Sequence, residues 1–84
     1  MLNLKFSSQS KKFFKKAENL VAKRISERIE KLVKEPFLPD IKRVEGEKEK
    51  IYRVRVGDYR IQYLVLYNIN TLLIERIDKR ERVY

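Results

Sequence analysis

The chain of 84 residues has no cysteine, no histidine and no tryptophan, and only two glycines and two prolines. Without cysteine it forms no disulfide, and it offers neither a thiol nucleophile nor a thiolate ligand for zinc. Without histidine it has no imidazole base, no Ser-His-Asp triad and no histidine-based metal site. No group of acidic residues in the sequence has a metal-binding pattern. We therefore expect neither a metal nor a cofactor.

Long hydrophobic runs are also lacking. The longest apolar run, residues 63–67, has five members, whereas a helix that spans a bilayer needs about 20. Lysines interrupt the first twenty residues, so that a secretory signal is not expected. These absences predict a cytoplasmic protein with no membrane partner.

Positive charge dominates the composition. The 21 lysines and arginines outnumber the 12 aspartates and glutamates, which gives a formal net charge of +9 and an isoelectric point near 9.9. Such a chain attracts nucleic acid, anionic membrane or an acidic protein. Hydrophobic residues make up 43% of the sequence, enough for the core of one small domain, and we assign residues 1–84 to that domain.

The first half of the chain predicts a strand followed by two helices. Apolar and polar residues alternate over residues 1–6, as in a strand. From the serines at 7–8, which are suitable N-caps, apolar residues recur at helical spacing as far as residue 35. One helix of about 28 residues would be about 42 Å long, too long for a domain roughly 30 Å across. We therefore predict a break near residues 18–19, and prolines end the second helix.

The second half of the chain predicts three strands. After a charged connector over residues 40–50, the period changes to two over residues 51–56, 59–67 and 71–77. Gly57-Asp58 is a two-residue turn with glycine first, the type II′ arrangement. The predicted fold class is α+β: an N-terminal strand, a helical hairpin, and a three-strand antiparallel meander that forms one sheet packed on the helices.

The two-residue turn also fixes the register of the first hairpin, because it sets Val56 opposite Tyr59 and Arg55 opposite Arg60. One face of the hairpin then carries apolar and aromatic residues, namely Tyr52, Val54, Val56, Tyr59, Ile61 and Tyr63. The other face carries Arg53, Arg55, Arg60 and Gln62. Like charges directly opposite each other destabilise a sheet, and a broken local rule often marks function.

Two interpretations of the arginines remain open from the residues alone. Arginine suits bidentate contacts to phosphate, which favours an anion-binding face for RNA or DNA. Alternatively the arginines form a solvated face, each paired with Glu75 or with a glutamate of the connector. The cations of the second helix interleave with glutamates, and we interpret them as a salt-bridged, exposed helix face.

A second basic cluster follows the last predicted strand and consists of Lys79, Arg80 and Arg82. The meander places this strand beside residues 59–67, so that both clusters are expected to line one concave surface. Tyr84 would stack on a base there. The lysines at the start of the first helix are either a nucleic-acid footprint or a solubility feature. The cations predicted to bind RNA are Lys79, Arg82, Lys11 and Lys12.

The run IYRVRVGDYRIQY at residues 51–63, followed by DKRERVY at residues 78–84, resembles toxins of the RelE/ParE family, and the archaeal RelE type in particular. The resemblance implies a RelE-like fold and a ribosome-dependent endoribonuclease that cuts messenger RNA in the decoding site and inhibits translation. It also implies a RelB-like acidic antitoxin as partner. Residue by residue, the catalytic roles fall on Arg53, Arg55, Arg60, Arg80 and Tyr84.

Two other functions remain as alternatives at this stage. One is a ParE-like poison of DNA gyrase, which acts by binding protein. The other is a basic RNA-binding module without catalytic activity. The arginine-rich hairpin favours the nuclease, because a gyrase poison needs no groove that clamps phosphate.

Overall fold

Two helices lie against one face of a five-stranded sheet in a computed structural model of the chain, which describes residues 1–44, 46 and 50–79. The helices are α1 (Ser8–Lys16) and α2 (Asn19–Lys34). The strands are β1 (Asn3–Phe6), β2 (Lys42–Arg43), β3 (Tyr52–Val56), β4 (Tyr59–Leu66) and β5 (Thr71–Lys79). A short 3-10 helix, Tyr67–Ile69, joins β4 to β5. Within the described ranges no helix is long and apolar enough to cross a membrane.

The strand order across the sheet is β1-β5-β4-β3-β2. Strands β2 to β5 are antiparallel neighbours, whereas β1 lies parallel to β5 at the other edge. The predicted α+β class and the break between the helices are confirmed, since α1 ends at Lys16 and α2 begins at Asn19. The short strand β2 was not predicted, because its two exposed residues show no alternation.

The buried core joins α2 to the helix-facing side of the sheet. Ile25, Ile29 and Leu32 of α2 are at most 2% exposed, and their four- and three-residue spacing places them on one side of the helix. They pack against buried residues of the three central strands, namely Val54, Ile61, Tyr63, Leu72, Ile74 and Ile77. The predicted apolar face of the hairpin is therefore confirmed. The strand predicted over residues 59–67 is one residue too long, since β4 ends at Leu66 and Tyr67 is 71% exposed.

Side chains at the start of α1 hold the far end of β5 in place. Ser7 caps α1 by accepting a hydrogen bond from the Ser10 amide, and its hydroxyl donates to the Glu75 carbonyl at 2.6 Å. Strand β1 pairs with β5 only as far as Ile74. Beyond that point the Gln9 side chain takes over, because it accepts from the Ile77 amide at 2.9 Å and donates to the Ile77 carbonyl at 2.7 Å. The last residues of β5 are thus fixed beside β4.

Tyr63 links the core to the segment that follows α2, and its burial makes the protein less stable at alkaline pH. Its hydroxyl donates to the Pro36 carbonyl, and burial raises the pKa of Tyr63 well above the ordinary value of about 10. Above pH 10 the unfolded chain ionises this tyrosine first, so the free energy of unfolding falls as pH rises.

We expect the difference in unfolding free energy between wild type and Tyr63→Phe, about 1 kcal/mol at pH 7, to shrink above pH 10. Urea titrations between pH 8 and 11 measure this difference, and parallel curves for the two proteins would contradict the prediction.

Candidate functional site

The hairpin of β3 and β4 has the predicted register. Arg55 lies opposite Arg60, and Arg53 lies opposite Gln62. Gly57 has a φ of +58°, as the first position of a type II′ turn requires and as glycine readily adopts. The three arginines therefore lie on the sheet face opposite the helices, which we call the arginine face.

The neighbouring strands add charged residues to the arginine face. Strand β2 places Lys42 opposite Arg53, and β5 places Arg76 opposite Gln62 and Asp78 opposite Arg60. The hairpin alone carries no acid on this face, but the complete sheet does. An Asp78 oxygen lies 3.5 Å from Arg60 Nε, and the other oxygen accepts a hydrogen bond from Arg76 Nε at 2.8 Å. The carboxylate thus reduces the repulsion within the row formed by Arg55 and Arg60.

A β-bulge in β5 puts Asp78 on this face. Gln62 pairs with Arg76 but Tyr63 pairs with Ile74, so that β5 holds one extra residue, Glu75, between them. The bulge shifts the alternation, and Ile74 and Ile77 both point into the core. The sign of the bulge in the sequence is the three-residue spacing of Ile74 and Ile77. Regular alternation would place two residues three apart on opposite faces. The acid paired with Arg60 is therefore Asp78, whereas the alternative interpretation from sequence named Glu75 or a glutamate of the connector.

The arginine face borders a cavity of about 480 Å³. Four cations and one carboxylate line it: Lys42, Arg53, Arg55, Arg60 and Asp40. The Asp40 carboxylate is already engaged, since Arg28 Nη2 donates to its two oxygens at 2.7 and 2.8 Å. The cavity therefore has a strong excess of positive charge. Lysine and arginine donors converging on one space are the groups that bind phosphate oxygens.

Arg60 lines this cavity, is partly buried, and forms an ion pair with Asp78. Its side chain is 29% exposed, and its Nε atom is buried without a hydrogen-bond partner among the described residues. The 3.5 Å contact to Asp78 is an ion pair only, because it lacks hydrogen-bond geometry. Because Arg60 lines the cavity, its guanidinium is in reach of a ligand that binds there.

The structure separates other predicted site residues from the arginine face. Lys79 does not follow the last strand, since β5 continues through it, and it lies opposite Tyr59 on the helix-bearing side of the sheet. The prediction that Lys79 lines the same surface as the arginines is therefore wrong. Lys11 and Lys12 are exposed on α1, which packs on that same helix-bearing side. The predicted Arg80, Arg82 and Tyr84 lie outside the described residues.

The arrangement offers electrostatic binding and orientation rather than acid–base chemistry. Arginine, with a pKa above about 12, is a poor proton acceptor. The two carboxylates beside the cavity, Asp40 and Asp78, form ion pairs with arginines. Within the part of the chain that the structure describes, no group of three or more acidic residues is placed to hold a metal ion. The face is suited to gripping a phosphodiester and to stabilising charge that develops on it.

Comparison with known sequences gives one family over almost the whole chain. Residues 4–84 match the family described as the ParE toxin of type II toxin–antitoxin systems. Over 51 residues the chain is 47% identical to RelE1 of Methanocaldococcus jannaschii, whose name describes a toxin. That match covers 61% of this chain and 53% of the relative, so the chain spans about half the length of this curated relative.

Solved structures share the fold. A chain of the archaeal RelE–RelB complex from Pyrococcus horikoshii OT3 is 28% identical, with a TM-score of 0.80 and 98% of both chains covered. A chain of the RelB–RelE complex from Methanococcus jannaschii is 29% identical, with a TM-score of 0.69 over 89% of this chain and 88% of the other. The isolated E. coli RelE toxin is 18% identical and has a TM-score of 0.85, with 99% and 88% covered. The predicted RelE-like fold is confirmed.

Proposed function

Since this chain belongs to the ParE toxin family of type II toxin–antitoxin systems, we propose that it is a RelE-like toxin that cleaves messenger RNA in the decoding site of the ribosome. One observation carries the proposal. The sheet face opposite the helices borders a cavity lined by four cations and one already paired carboxylate. Such a site fits the phosphodiester backbone of RNA, the partner that the net charge of +9 also favours.

The proposed cleavage uses the 2′-hydroxyl of the RNA itself. The 2′-oxygen attacks the adjacent phosphorus, the bond from phosphorus to the 5′-oxygen breaks, and the 2′-proton leaves while the 5′-oxygen gains one. Arg53, Arg55 and Arg60 hold the phosphoryl oxygens and stabilise their charge in the transition state. Arg80 and Tyr84 are proposed to complete the site on the basis of sequence resemblance. With no histidine in the chain, geometry supplied by the ribosome is expected to matter more than proton transfer by a side chain.

The proposed partner is a RelB-like antitoxin. Two of the archaeal structures that this chain resembles are RelE–RelB complexes. A protein with a net charge of +9 complements an acidic segment that folds as it binds. We therefore expect a neighbouring gene to encode a short protein with an acidic, amphipathic region that neutralises this toxin.

A second candidate follows from the matching family itself, which is described by the ParE toxin. In that case the chain would poison DNA gyrase without cutting RNA. The cation-lined cavity favours the nuclease, because binding a protein target does not require four converging phosphate-binding side chains.

Expressing the chain alone and mapping messenger RNA ends separates these functions. We expect growth arrest with new RNA ends at fixed positions within codons, and both effects should disappear when the acidic neighbour is co-expressed. Growth arrest with broken DNA and intact messenger RNA would identify a gyrase poison instead. Normal growth with intact nucleic acids would leave only a non-catalytic RNA-binding module.

A further inference from the structure

A second basic cavity, which we call the α2 cavity, lies next to the arginine face. It is enclosed by α2 and by the end of β3 that leads into the turn at Gly57. Its volume is about 460 Å³, and α2 contributes Arg24, Glu27, Arg28 and Lys31 to its lining. The second cavity shares Arg55 and Asp40 with the first, so the two spaces adjoin. Strand β2 pairs with Tyr52 and Arg53 only, so no strand within the described residues covers the edge of β3 beyond Arg53.

Helical geometry builds the α2 side of this cavity. Residues 24, 28 and 31 are four and three apart, so their side chains form one stripe about 10 Å long. The Arg24 guanidinium lies over the turn between β3 and β4, where Nη2 would be 3.5 Å from a Cβ placed on Gly57. The stripe therefore faces the same end of the hairpin as Arg55.

In the described part of the chain, the cations of the stripe form no ion pair with an acid of α2. We predicted from sequence that the α2 cations form salt bridges with interleaved glutamates. Among the described residues, however, the ion pair of α2 joins Arg28 to Asp40, and neither Arg24 nor Lys31 pairs with an acid. Both side chains are exposed. Seven cations line the two cavities against two carboxylates, an excess that serves an anionic ligand better than it serves folding stability.

We propose that the α2 cavity binds the flanking backbone of the same RNA strand whose phosphate occupies the arginine face. The inference rests on the proposed function, and it extends the contact beyond the cleaved phosphodiester. The strand leaves the arginine face beside Arg55, passes the uncovered edge of β3, and continues along Arg24 and Lys31. Continuity of the two cavities favours one RNA strand over a separate acidic peptide, because a single polyanion fills both without a gap.

The salt dependence of RNA binding tests this path. The variant Arg24→Gln/Lys31→Gln is compared with the control Lys23→Gln/Lys34→Gln, which removes the same charge from exposed positions of α2 that line neither cavity. The probe is a fluorescent single-stranded RNA of about 12 nucleotides, within the range of single-strand site sizes. Anisotropy titrations between about 50 and 200 mM salt give the slope of log affinity against log salt concentration.

We expect the slope of the test variant to be smaller than that of wild type by about 1.4, because each phosphate contact on a single strand contributes about 0.7. The control should keep the wild-type slope. Equal reductions in the two variants would overturn the proposal by showing a diffuse charge effect. An unchanged slope together with weaker binding of the acidic neighbour protein would overturn it too, and would assign the cavity to that protein.

A third variant separates failure of this path from failure of the proposed function. Arg60→Gln alters the arginine face but not the α2 cavity. If Arg60→Gln reduces the slope and Arg24→Gln/Lys31→Gln does not, the flanking path is wrong and the arginine face remains an RNA site. If neither variant changes the slope, the arginine face does not bind RNA, and both proposals fall.

Discussion

Replacing Arg60 by alanine is expected to slow messenger RNA cleavage on ribosomes by about 10²–10³ while the protein stays folded. Loss of one preorganised contact to charge that develops in a transition state costs about 2.7–4 kcal/mol. Arg60 lines the cation-rich cavity, where its guanidinium is in reach of a bound phosphate. Single-turnover cleavage on ribosomes that carry a defined codon measures the rate, and thermal melting confirms the fold.

A matched control for this experiment lies on β2. Arg43 is exposed, lines neither cavity and lies opposite Tyr52, on the helix-bearing side of the sheet. Arg43→Ala removes the same side chain and should retain nearly full activity. Full toxicity of Arg60→Ala would remove Arg60 from the proposed site. From sequence alone we expect Arg80→Ala to behave like Arg60→Ala.

The ion pair with Asp78 does not prevent Arg60 from binding phosphate. Both side chains are 29% exposed, and ion pairs of partly exposed groups contribute only about 0–1 kcal/mol. A charge-assisted contact in the transition state contributes several times more. The Asp78 carboxylate therefore orients Arg60 in the free protein, but its ion pair is weaker than the contact of Arg60 with the transition state. The same numbers explain why losing the pair in Arg60→Ala should leave the fold intact.

The arginine face could be predicted from sequence because a two-residue loop leaves little freedom. Once Gly57-Asp58 is identified as the turn, each residue of β3 has one partner on β4, and alternation assigns the faces. The predicted pairs of Val56 with Tyr59 and of Arg55 with Arg60 occur in the structure, and the same register continues to Tyr52 and Tyr63. The division between α1 and α2 was predictable for a similar reason, since the size of the domain limits the length of a helix.

The contributions of β2 and β5 could not be predicted in the same way. The connection from β4 to β5 passes through a 3-10 helix, so that loop length does not fix the register. The bulge at Glu75 then moves Arg76 and Asp78 to the arginine face and Lys79 to the other. Strand β2 is only two residues long and is defined by its pairing with β3. Its Lys42, which lines the cavity, has no local pattern that marks it.

The residue after Arg60 is expected to behave in the opposite way when it is changed. Ile61 lies on the other face of β4, is 0% exposed and packs in the core with α2. Truncating a buried isoleucine to alanine costs about 2–5 kcal/mol, because the apolar contacts are lost and a cavity remains. For a domain of this size that cost lowers the melting temperature by at least about 8 °C. Thermal melting followed by circular dichroism measures the shift.

The matched control for this prediction is Ile61→Val, which removes one methylene and should cost only about 0.5–1.5 kcal/mol. Cleavage by Ile61→Ala should fall in proportion to the fraction of unfolded protein, and it should recover on cooling below the new melting temperature. Arg60→Ala should show the reverse, with a melting temperature close to that of wild type and a rate that cooling does not restore. If Ile61→Ala melts at the wild-type temperature, the contacts of Ile61 with the core do not contribute to stability as its burial implies.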